Sequence, residues 1–246
     1  MDHPPVYSSA TQTFSDRTAG SWRQKQKQPV TSTTSVPSIR GPIRVLQYSR
    51  SRRRPEHKQS HGDAKSAPVV TKTIVQNLNL ECVKPQRAGI IPYTVVNGAI
   101  YLGMALDSRT HDLTDFGGGV IYRTDRDAIR GALREFEEET LSIFEPISSE
   151  DIGHCPVIYD DRNLIVFVHI DIDPDTVCLA FNEKFEKALE TLPPQEESGR
   201  RRGEPEVCGI TWLTWEEFQD CLKVRGIMFS RVQKFLFRAE KFSHLL

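Results

Sequence analysis

Residues 115–140 read Asp-Phe-Gly-Gly-Gly-Val-Ile-Tyr-Arg-Thr-Asp-Arg-Asp-Ala-Ile-Arg-Gly-Ala-Leu-Arg-Glu-Phe-Glu-Glu-Glu-Thr. Residues 116–120 carry three consecutive glycines, a Gly-rich turn that leads into a segment from about Arg126 to Thr140 with helical periodicity. Taking Glu135 as origin and about 100° per residue, Glu138 falls near −60° and Glu139 near +40°, so three carboxylates share one helix face. Ile129, Ala132, Leu133, Phe136 and Thr140 fall between roughly 60° and 160°, an apolar stripe that faces a core beside the acids. Glu137 stands apart near about 200°, on the solvent side.

Like charges three and four residues apart repel, by more when partly desolvated beside a core. Arg134 supplies one compensating charge from the side. A hard divalent cation, Mg²⁺ or Mn²⁺, takes oxygen ligands from one or two carboxylates plus phosphates and water, and would resolve the repulsion directly. The glycine turn brings backbone carbonyls and amides close to the same face. Three glutamates alone usually mean a solvated acidic face; a strand, a triple-glycine turn and then Arg-Glu-apolar-x-Glu-Glu on a helix is far more specific.

Outward from this segment the chain alternates strands and helices. Residues 89–96 are β-branched and apolar, Asn97-Gly98 tolerates positive φ, and 99–105 continues as a second strand, a hairpin signal. A polar loop spans 107–115. A second hairpin joins 154–159 to 164–172 through Asp160-Asp161-Arg162-Asn163. A helix is expected over 182–191, an exposed loop over 193–203 and a strand over 207–213. Thr214 N-caps a further helix with Glu217 at the capping-box position, and 231–242 closes the chain as an amphipathic helix. This pattern predicts one α/β domain over 81–246.

Composition divides the chain in two. The 246 residues carry a net charge of −1, but residues 1–80 hold thirteen Lys and Arg against four acids, +9, and the remainder carries −10. Residues 1–80 are rich in Ser, Thr, Pro, Gln and Arg with isolated aromatics, and read as a disordered basic arm. Its densest charge, Arg50-Ser51-Arg52-Arg53-Arg54, suits nucleic acid or a nuclear address, and equally a solvated linker. The chain has no apolar run of the roughly 18 to 20 residues that span a bilayer, so no membrane association is expected. It opens without a secretory-signal pattern, and prolines interrupt any amphipathic presequence. Five cysteines (82, 155, 178, 208, 221) without CxxC spacing suggest neither a disulfide framework nor a zinc site, and an intracellular protein, cytoplasmic or nuclear, is expected.

Arg134-Glu135-Phe136-Glu137-Glu138-Glu139 matches, without a gap, the central R-E-U-x-E-E of the Nudix box, G-x5-E-x7-R-E-U-x-E-E-x-G-U with U apolar. The chain resembles the Nudix hydrolases from about Ala88 to Leu246 in layout, with the motif itself in 117–140. The resemblance implies an α/β/α sandwich around a mixed β-sheet, with Glu135, Glu138, Glu139 and the Gly118 carbonyl as metal ligands and Arg134 orienting the glutamates. It implies hydrolysis of a nucleoside diphosphate linked to another group. For the general base Glu138 is the first choice and Glu206, at the entry to the 207–213 strand, the second.

Two positions depart from the box. Arg126 stands where its first Glu is expected, in a loop one residue longer, and a one-residue shift offers Asp125 instead. Leu141 and Ser142 replace the closing Gly-U, so the helix lacks a glycine C-cap and Ile143 is the candidate for the apolar position. The phrasing of 115–120 and 132–140 resembles Nudix proteins of large DNA viruses and related eukaryotic sequences, some of which remove mRNA caps. A basic arm suits such a polyanion, because Lys and Arg contacts release condensed counterions. Capped RNA is therefore one candidate substrate, with RNA contacted through the arm. Small nucleotides and dinucleoside polyphosphates are the alternative, and a non-catalytic nucleotide- or partner-binding module is a third reading. Tyr93, Tyr122, Tyr159 and Trp212 are candidates for base stacking, each more often a core residue; His111, His154 and His169 show no ligand spacing.

Overall fold

The computed structural model describes residues 69–193, 203–239, 242 and 246. Most of the arm expected over 1–80, with its arginine cluster, lies outside these residues, as does most of the loop expected over 193–203.

An eight-stranded mixed sheet has β1 (Val70–Ile74), β6 (Pro156–Tyr159), β7 (Asn163–His169), β2 (Arg87–Val96), β3 (Ala99–Asp107) and β4 (Leu113–Thr114) in that spatial order, with β5 (Phe116–Gly119) on β2 and β8 (Val207–Thr214) on β3. β2 and β7 run parallel; the other pairings are antiparallel. The β2–β3 hairpin turns on Asn97 and Gly98 at φ 53° and 79°, the two positive values that a two-residue turn requires. β1 is a correction to the composition, which assigns 70–80 to the arm: Val70-Thr-Lys-Thr-Ile74 is β-branched and pairs with β6.

Side chains alternate across the sheet. Leu164, Val166 and Val168 of β7 join one core with Ala88, Ile90 and Phe116, and Ile165 and Phe167 join the opposite core with Ile91, Leu102 and Met104. A strand buried on both faces reads as a continuous apolar run, as β7 does. Helices α2 (Ala128–Glu139) and α4 (Pro174–Glu190) cover the first face through Ala128, Ile129, Ala132, Phe136, Val177 and Phe181. Helices α5 (Trp215–Lys223) and α6 (Ser230–Arg238) cover the second through Phe218, Val232, Phe235 and Leu236. The architecture is the expected α/β/α sandwich around a mixed sheet. Two short helices, α1 (Tyr122–Asp125) and α3 (Ser149–Gly153), complete it.

The capping box at Thr214 and Glu217 is formed in full. α4 starts eight residues before the expected 182: Pro174 occupies its first turn and the Asp173 side chain accepts from the Thr176 N–H, an N-terminal signature that the weak apolar period of 174–181 concealed. No helix among the described residues is long and apolar enough to cross a membrane.

Candidate active site

β4 and β5 are nearly one strand that changes partner. Leu113 and Thr114 pair with β3, Phe116 to Gly119 pair with β2, and Asp115 lies at the change. The chain then passes through α1, leaves it at Arg126 with φ 71°, and enters α2 with the Asp127 side chain accepting from the Arg130 N–H. This route lays the acidic face of α2 against the triple glycine.

Gly118 sits directly against Glu135. A Cβ built on Gly118 would lie 2.5 Å from the Glu135 carboxyl carbon, so the bare Cα is what admits the carboxylate. Gly119 has nothing within 4 Å of the same added atom. The Gly117 N–H donates to Glu139 Oε2 at 2.7 Å. Glycine is forced there by a second neighbour: Gly117 and Gly89 face each other across β5 and β2 too closely for a side chain on either.

Arg134 is the hub. Its Nε donates to Asp125 Oδ1 at 2.9 Å, and Nη2 donates to Asp125 Oδ2 at 3.1 Å and to the Gly119 carbonyl at 3.0 Å. Nη1 donates to Glu135 Oε1 at 2.8 Å and reaches Glu138 Oε2 at 3.5 Å. Asp125 is buried and also accepts from the Ile121 N–H. Asp125, and not Arg126, faces Arg134: the chain turns at Arg126 with positive φ, leaving Arg126 exposed and Asp125 buried.

Electrostatics follow from burial. Desolvation, then the nearby Asp115 charge, pushes the Glu139 carboxyl up to about 9, against the pull of Arg87 and the Gly117 N–H. Burial also raises Glu135, opposed by Arg134 and assisted by the charges of Glu138 and Glu206. Glu206, exposed just before β8, thus stands in the electrostatic field of the α2 glutamates. Glu138 is exposed, its side chain 62% open, whereas Glu135 and Glu139 are partly buried. Among the described residues no three His, Cys, Asp or Glu side chains are gathered closely enough to hold a metal ion as they stand. Arg134 holds Glu135 and touches Glu138, while Glu139 is turned to the Gly117 amide.

The C-terminus of α2 closes without glycine. Leu141 and Ser142 both adopt left-handed φ, 54° and 52°, and their N–H groups return to the carbonyls of Glu138 and Glu137. Lys184 of α4 donates to both their carbonyls, at 2.9 and 2.7 Å. Ile143 packs at the margin of the core, where the apolar residue was expected. Two adjoining cavities of about 350 and 510 Å³ share residues 143–147, and the smaller touches α2 and its C-cap through Leu133, Phe136, Glu137 and Thr140, the side away from Glu135 and Glu138.

The stacking candidates disperse. Tyr93 is buried against His169, the Tyr122 hydroxyl donates to the Pro85 carbonyl, Tyr159 packs at a core margin and Trp212 is buried in the core. Sequence reading missed the buried pair of Arg87 and Asp115, 2.7 Å apart behind the glutamates. A charged residue opening a strand as apolar as 87–96 was the available signal, since such a charge requires a partner.

No family model and no curated protein matches the chain. Remote similarity is found to solved structures. An Ap4A hydrolase binary complex from C. elegans is 15% identical, with a TM-score of 0.35 over 63% of this chain and 95% of that one. The NUDIX domain of Shewanella oneidensis NrtR complexed with ADP ribose is 12% identical, at 0.33 over 67% and 93%. A NUDIX family hydrolase from Clostridium perfringens is 11% identical, at 0.31 over 65% and 97%.

Proposed function

We propose that the chain is a Nudix-type pyrophosphohydrolase that uses Mg²⁺ or Mn²⁺ to cleave a diphosphate linkage in a nucleoside-diphosphate-linked substrate. One observation carries the proposal: α2 delivers Glu135 and Glu139 onto a triple-glycine strand whose amide and bare Cα receive them, while Arg134 is locked by Asp125 and Gly119. The donor set fits a hard cation. Glu135, Glu138, Glu139 and the Gly118 carbonyl offer only oxygen, and burial raises Glu135 and Glu139 even against the opposing charges of Arg134 and Arg87, so a further positive charge would relieve both. A bound cation would neutralise phosphate oxygens and lower the pKa of a coordinated water.

The chain's own residues do the rest. Arg134 fixes the Glu135 carboxylate and the β5 backbone in one grip, so the acidic face keeps its orientation. In this reading Glu138, exposed and reached only at 3.5 Å by Arg134, is the first choice for the base that takes a proton from the attacking water, with Glu206 the second. Capped RNA is the preferred substrate, because the +9 segment over residues 1–80 suits a long polyanion. A second reading, a nucleotide-binding module without turnover, draws on Arg126 and Leu141, the two departures from the box.

Purified protein with Mg²⁺ or Mn²⁺ should be assayed against capped RNA, dinucleoside polyphosphates, ADP-ribose and nucleotide sugars. Glu138→Gln should lower turnover about 100- to 10,000-fold, the usual contribution of a positioned base. Turnover of none of these substrates, with one of them bound tightly, establishes the module instead.

A further inference from the structure

Arg87 opens β2 and Asp115 stands where β4 gives way to β5, and both are buried. Their ion pair, Arg87 Nη1 to Asp115 Oδ2 at 2.7 Å, is a costly way to join two strands, since an apolar pair of similar volume would hold them as well. The guanidinium does something further. Its other terminal nitrogen donates to the Gly117 carbonyl at 2.8 Å, and the N–H of that same glycine donates to Glu139 at 2.7 Å. Both backbone polar groups of Gly117 are thus committed to side chains, one to Arg87 and one to the helix acid. The next residue, Gly118, lies against the Glu135 carboxyl.

We propose that Arg87 and Asp115 are positioning residues of the acidic site: Asp115 holds the guanidinium, and the guanidinium holds the Gly117-Gly118 backbone on which Glu139 and Glu135 rest. The inference rests on the metal-site reading above and deepens it by naming a buried device outside the motif. Slack is small, because a side chain at Gly89 would strike Asp115 and the β5 backbone. Lysine cannot replace Arg87, since a single ammonium lacks the planar fork that spans a carboxylate and a carbonyl at once. The pair acts through the backbone and touches no substrate.

The test uses the full chain in three forms: wild type, Arg87→Lys, and the double variant Arg87→Met with Asp115→Leu. Direct Mn²⁺ binding and the Gly117 amide proton resonance are measured beside urea unfolding. The double variant should keep the unfolding midpoint near wild type yet bind Mn²⁺ about 10- to 100-fold more weakly, the usual loss when an outer support of a metal ligand is removed. Arg87→Lys should move the Gly117 amide signal upfield, as its hydrogen bond to Glu139 lengthens. Wild-type Mn²⁺ affinity in a folded double variant, or an unmoved Gly117 amide in Arg87→Lys, overturns the inference. Wild type that binds no Mn²⁺ defeats the metal-site reading; the amide signal then still decides whether Arg87 positions Gly117.

Discussion

Gly118→Ala should separate folding from function. The added Cβ would lie 2.5 to 2.6 Å from the Glu135 carboxyl atoms, whereas ordinary contact begins near 3.4 Å, so that carboxyl must recede by about 1 Å. The three atoms nearest the new one all belong to the end of this flexible side chain, so the fold yields cheaply: an off-rotamer Glu135 costs about 0.5 to 1.5 kcal/mol. The site does not yield cheaply, because a displacement near 1 Å in a catalytic arrangement costs about 100-fold in rate. Gly119→Ala is the internal control, with nothing within 4 Å of its added atom. Urea unfolding, Mn²⁺ binding and pyrophosphohydrolase turnover would be measured on both variants. The expected pattern is near-native stability in both, with binding and turnover lost only in Gly118→Ala. Equal damage from the two alanines, or native turnover in Gly118→Ala, would refute the reasoning.

Asp125→Asn should cost about 2 to 3 kcal/mol, below the range for a fully buried pair because the Arg134 side chain is 27% exposed. The Arg134 hydrogen bonds hold the Asp125 carboxyl below the usual carboxylate range, so its contribution is present above about pH 4 and lost as pH falls through the lowered folded value; unfolding midpoints taken down the acid limb should therefore fall less steeply in the variant. Ser142→Gly should raise stability by about 0.5 to 1 kcal/mol, read as a higher melting temperature, because an exposed non-glycine residue holds φ 52° there. Lys184→Met should lower stability by about 1 kcal/mol by removing both hydrogen bonds to the carbonyls that close α2, and calorimetry would register it.

What was legible in the sequence was local. Asn97-Gly98, Thr214 with Glu217, and the wheel of α2 each encode their geometry within a few residues, and each appears as expected. Phe136 lies in the core and Glu137 at the surface, on the sides the period assigned. What was not legible depended on distance. Arg87 and Asp115 are 28 residues apart, and Lys184 reaches Leu141 and Ser142 from more than 40 residues away. Nothing in a linear window pairs them. β1 was missed because its five β-branched and polar residues are too few to stand out from the composition around them, and its partner β6 lies some 85 residues later.

The parallel pairing of β2 with β7 also orders events in time. Everything between them, residues 97–162, is a crossover that contains the glutamate helix. Parallel partners this far apart in sequence close a long loop and pair slowly. During synthesis the acidic helix can form as soon as it emerges, but one edge of β2 stays open until residues 163–169 follow, and an open apolar edge invites association with other chains. Premature termination between residues 141 and 162 therefore yields a fragment that carries the whole motif, lacks the strand that closes the edge of β2, and is fated to aggregate rather than to work.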